Sequence, residues 1–87
     1  MLATATPERT VFNVGPNPFT DEIRLQIPPS SHSPLQFTLF DLAEQAVIGK
    51  LVQEGENIVL VPGLPAGFYF WELRRRGVLV GSGKLVK

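Results

Sequence analysis

Apolar and polar residues alternate in short runs along most of this chain, and proline, glycine, asparagine or serine soon interrupts each run. A two-residue period places successive side chains on opposite faces of an extended strand, whereas a helix needs a period of 3.6. No segment keeps the helical period over as many as about ten residues. Asp41–Gln45 alone has helical potential, and it is short and sits between two strand-like runs. The alternation predicts strands at Thr10–Val14, Glu22–Ile27, Leu35–Leu42, Ala46–Val52, Asn57–Val61, Phe68–Arg74 and Val78–Val86. Glu22–Ile27 is the cleanest, with Ile23, Leu25 and Ile27 on one face and Arg24 and Gln26 on the other. The Pro28–Pro34 stretch is a loop, because proline brings no donor to a sheet ladder. About seven strands spaced roughly ten residues apart predict an all-β fold, an Ig-like antiparallel β-sandwich.

At 87 residues the chain is one domain. Its apolar fraction of 44% suits a packed core rather than disorder. Eight basic and eight acidic residues cancel, which removes the electrostatic footprint of a nucleic-acid binder or of a protein drawn to anionic membranes. There is no cysteine, so no disulfide contributes. No apolar run approaches the roughly 20 residues of a membrane span, and membrane insertion is not expected. The first residues lack the basic start and apolar core of a signal peptide. Residues 1–9, small, polar and proline-containing, read as a linker from an upstream domain, and residues 10–87 as the folded unit.

Candidates for chemistry are few. His32, the single histidine, falls in the Pro/Ser loop, and a multi-histidine metal site is impossible. Ser30, Ser31, Ser33 and Ser82 have neither a nucleophile-elbow context nor a base nearby in sequence. The carboxylate pairs Asp21/Glu22 and Glu54/Glu56 read as turn residues facing water, without the ligand spacing of a calcium loop. Arg74-Arg75-Arg76 sits at a hairpin tip, either solvated or as a contact for an anionic partner. Gly81-Ser82-Gly83 lies inside a strand and suggests a bulge or a close strand contact. No catalytic, cofactor-binding or metal-ligating residue is therefore assigned, and the chain does not read as an enzyme.

Leu64-Pro65-Ala66-Gly67-Phe68-Tyr69 is more informative. A glycine two residues before a tyrosine, at the start of a strand, is similar to the tyrosine corner of Ig-like sandwiches. There the phenol bonds back to backbone a few residues upstream. Gly67 supplies the unusual backbone angle in this reading, and Tyr69 bonds to backbone near Pro62–Pro65. Tyr69, Trp71 and Leu73 share one face of the strand and Phe68 and Phe70 the other, which makes this strand central, with its outer face covered or partly exposed.

From Phe12 to Lys87 the chain resembles the type A C-terminal sorting domains of the type IX secretion system. Four blocks carry the resemblance in order. They are Val14-Gly15-Pro16-Asn17-Pro18-Phe19-Thr20-Asp21-Glu22, Phe37–Leu42, Gly63-Leu64-Pro65-Ala66-Gly67-Phe68-Tyr69-Phe70, and Gly83-Lys84-Leu85-Val86-Lys87. Gly15 stands where the family usually has tyrosine, and Glu44-Gln45 replaces its usual Gly-Arg, which puts the usual turn geometry there in question. The resemblance implies a folded tag that directs an upstream cargo of a Gram-negative bacterium from the periplasm across the outer membrane. A surface sortase then removes the tag, and the cargo is secreted or held at the cell surface. The expected partners are the translocon, the sortase and the cargo domain. The candidate recognition residues are Pro16, Asn17, Pro18, Leu64, Pro65, Gly67, Tyr69, Gly83, Lys84, Leu85, Val86 and Lys87. The alternative is an Ig-like or fibronectin-type accessory module that binds glycan or protein, or spaces domains. Because few contacts follow it, the Lys84–Lys87 stretch is expected to fray, and its removal to cost the sandwich little.

Overall fold

The computed structural model describes residues 12–29 and 34–87, and every regular element among them is a strand. These are β1 (Asn13–Gly15), β2 (Glu22–Ile27), β3 (Leu35–Phe40), β4 (Ala46–Val52), β5 (Gly55–Leu60), β6 (Phe68–Arg75) and β7 (Val78–Val86). They form two antiparallel sheets, β1-β2-β5 and β4-β3-β6-β7, so the protein is an all-β, Ig-like sandwich. Alternation dictates the layering. Ile23, Leu25 and Ile27 of β2, Leu35, Phe37 and Leu39 of β3, and Tyr69, Trp71 and Leu73 of β6 all point inward and are buried. Among the described residues every buried side chain is apolar or aromatic. A buried Leu or Ile contributes roughly 1.5–3 kcal/mol, so these inward triplets hold the fold together.

Several strand boundaries differ from the expected ones. β1 runs Asn13–Gly15; Thr10 and Val11 of the expected first strand lie outside the described residues. So do Ser30, Ser31, His32 and Ser33. β3 stops at Phe40 rather than Leu42, because the Asp41 carboxylate accepts the amides of Ala43 (2.9 Å) and Gln45 (3.0 Å) and folds the chain into a turn. Glu44 takes φ +64° in that turn, the left-handed conformation that glycine adopts without strain. The departure noted at Glu44-Gln45 is thus accommodated, with Asp41 holding the turn. β5 begins at Gly55, two residues early, since the Asn57 side chain bonds both backbone groups of Gln53 and closes the β4–β5 turn, and it ends at Leu60 rather than Val61. β6 runs on to Arg75.

Strand directions give the sandwich two distinct poles. At one lie the connections β1–β2 (Pro16–Asp21), β3–β4 (Asp41–Gln45) and β5–β6 (Val61–Gly67), together with the exit of β7 at Lys87. At the other lie the end of β2 and the start of β3, the β4–β5 connection and the Arg76-Gly77 turn between β6 and β7. β1 comes in from this second pole, with Asn13 opposite Gln26 and Gly15 opposite Arg24.

Trp71 explains the glycines of β7. Its ring lies across β7, at the strand's inward positions Gly81 and Gly83. A β-carbon on Gly83 would stand 2.6 Å from Trp71 Nε1, and one on Gly81 would stand 2.8 Å from the Phe12 ring. The expected close contact is therefore present, and a bulge accompanies it where the pairing shifts between Leu73 and Arg74.

Candidate functional site

The corner is built from the start of β6. Gly67 has φ +151°, a conformation essentially restricted to glycine, and it turns the chain into the strand. Tyr69 then points inward, buried, and its hydroxyl donates to the Pro65 carbonyl at 2.5 Å. A buried phenol needs such a partner, and the upstream backbone acceptor falls within the expected stretch. Replacing Tyr69 by Phe leaves that carbonyl unpaired and removes the bond, with an expected loss of about 1–2 kcal/mol. Urea unfolding reads this directly; an unchanged midpoint would show that the corner bond contributes nothing.

The Pro16-Asn17-Pro18-Phe19 block crosses from the small sheet to the outer edge of the large one. The Val86 amide donates to Asn17 Oδ1 (2.9 Å), and the Phe19 amide donates to the Val86 carbonyl (2.8 Å). On its other side Val86 pairs with Phe68. Asn17 and Phe19 therefore occupy the place of a neighbouring strand and cover the end of β7, where unpaired backbone groups would otherwise face solvent. The Phe19 ring is buried and meets Tyr69 edge-on, centroids 5.7 Å apart. Phe19 belongs to the first block but was not among the expected site residues. Its signal in the sequence was a large apolar side chain alone among Pro and Thr.

The last block closes the cluster. Leu85 is buried opposite Tyr69. Gly67 and Lys87 exchange two backbone bonds, at 3.0 and 2.8 Å, and Lys87 Nζ donates to the Leu64 carbonyl at 2.5 Å. The expectation that this end frays is overturned, because its backbone bonds on both sides and one of its side chains is core. Pro16, Asn17, Pro18, Leu64, Pro65, Gly67, Tyr69, Leu85, Val86 and Lys87 thus assemble at one pole, although Asn17 and Val86 are 69 positions apart. Gly83 stands slightly apart, under Trp71, and Lys84 points from the outer face with Nζ 5.7 Å from the centre of the Phe68 ring. Pro16, Asn17, Pro18 and Pro65 are exposed. Gly15 is not required by packing, since a β-carbon there would meet only Asn17 N at 3.7 Å.

This cluster presents hydrogen-bonding groups. Its polar groups are backbone amides and carbonyls, one carboxamide, one phenol and one ammonium, and the carbonyls and amides named above are already paired. Among the described residues no three His, Cys, Asp or Glu side chains come together. Charge also shapes the outer face of the small sheet. There the hydrogen bond and charge of Glu22 raise Arg24 above its usual value, with help from Glu56. At the far pole Arg74 is held by Glu72 and by the Gly77 carbonyl. A scan against protein-family models finds no match to this chain, and a search of curated proteins finds none.

Proposed function

We propose that the domain is a C-terminal sorting domain of the type IX secretion system, a folded tag that carries an upstream cargo across the outer membrane. One observation carries the reading. The first, third and fourth of the sequence blocks that resemble this family, far apart in the chain, come together at a single pole. That pole is opposite the one from which β1 comes in, so a domain attached upstream would leave it accessible. A machine that handles many cargoes needs a constant surface and no chemistry from the tag, and this pole offers exposed prolines on a rigid, hydrogen-bonded base.

The test attaches a reporter ahead of Thr10 in a host with the type IX apparatus and compares periplasmic with extracellular reporter. Three versions are needed: the native domain, Ala66→Arg at the exposed pole, and Glu54→Arg at the opposite one. Both substitutions alter exposed residues and leave the core untouched. Native and Glu54→Arg fusions are expected outside the cell, and Ala66→Arg in the periplasm. Export of all three alike would remove the pole from recognition. Retention of the native fusion would end the sorting reading in favour of an accessory module.

A further inference from the structure

The two outer faces of the sandwich differ. That of the small sheet carries Glu22, Arg24, Gln26 and Glu56 among its apolar residues. The large sheet also bears an ion pair, Glu72 with Arg74, but beside it presents Phe68 (50% exposed) and Phe70 (40%), with Phe40 next to Phe70 on β3 and Leu42 (65%) in the adjoining turn. Phe40 and Phe70 floor a shallow groove; Leu42 and Glu44 form one bank, Ser82 and Lys84 the other. An apolar patch rimmed by charge marks an interaction surface.

The charges identify the occupant. Glu44 lies on the β3–β4 side and Lys84 on β7, with the aromatic floor between; the groove's other carboxylate, Glu72 on β6, is already paired with Arg74. A two-fold axis parallel to the strands, running between β3 and β6, exchanges the two banks. It sets Lys84 of each copy against Glu44 of the other and lays Phe70 on Phe40. We propose that this face pairs with the same face of a second copy, forming an isologous, sheet-on-sheet dimer. The patch covers only part of one face, so the association is weak, at the small end of specific interfaces.

Sedimentation equilibrium on the 9.6 kDa chain tests this. Its mass should rise from monomer towards dimer as concentration increases to about 1 mM, the range for weak pairs. Phe70→Ser and Lys84→Glu, both surface changes, should each weaken association about tenfold or more. The double exchange Glu44→Lys with Lys84→Glu restores the opposite signs across the interface and should recover most of the native affinity. Circular dichroism confirms that each variant is folded. A chain that stays monomeric throughout overturns the proposal. So does a dimer indifferent to these substitutions, and so does a double exchange no better than Lys84→Glu alone.

Discussion

Deleting Lys84–Lys87 is expected to leave a chain that does not fold at 25 °C. The stretch holds Leu85, buried against Tyr69, and emptying such a site costs about 2–5 kcal/mol even when only the side chain is trimmed. It also removes the Val86 bonds to Asn17 and Phe19, the two Lys87–Gly67 bonds, and the Lys87 bond to Leu64. Each contributes roughly 0.5–1.5 kcal/mol net. The combined loss, on the order of 5–10 kcal/mol, matches the whole stability of a domain this size, about 4–13 kcal/mol. The truncated chain should therefore show a collapsed amide dispersion by NMR and no cooperative urea transition. A cooperative transition with a midpoint close to the native one would show that the last four residues are an appendage. The consequence for export is practical: truncation cannot separate recognition from folding, whereas a surface substitution such as Ala66→Arg can.

Trp71→Ala should be the most damaging single substitution, at about 3–5 kcal/mol. The indole is 8% exposed, sits on the central strand β6, and lies across Gly81 and Gly83 of β7. Glycines have no side chains to swing into the space it leaves. The converse change tests the same fit, because Gly83→Val drives a side chain into the ring and should cost about 1–3 kcal/mol by overpacking. The two changes should not add. With the ring gone, the isopropyl group that Gly83→Val introduces would fill part of the cavity, so the double variant should be more stable than the sum of the single losses predicts. Strict additivity in urea or thermal unfolding would mean that β7 carries its glycines for another reason.

The sheet elements were legible because burial on one face imposes a two-residue period that survives in a single chain. β2 and β7 were read with the ends they have, and the central β6 was recognised from apolar residues on both of its faces. At the end of β3 and the start of β5 side-chain capping decides the boundary, through Asp41 and Asn57, whose carboxylate and carboxamide compete with the ladder for backbone groups. The tyrosine corner was equally legible, since a phenol and a glycine at fixed spacing make a bond within five residues.

What the sequence could not disclose was which distant residues meet. Nothing local to Asn17 indicates that its side chain receives the Val86 amide, because that bond exists only once two sheets are stacked and β7 has become an edge. The end of the chain looked free for the same reason. A lysine-rich exit predicts solvation, yet the packed corner presents the Gly67 backbone and the Leu64 carbonyl just where Lys87 arrives. Gly83 likewise signalled a close approach without naming what approaches, and only the cross-strand register shows that it is Trp71. Periodicity and turn chemistry act over a few residues and are written locally. The pole that unites the candidate site depends on contacts between segments some 20 to 70 positions apart, which only the stacking of the two sheets brings together.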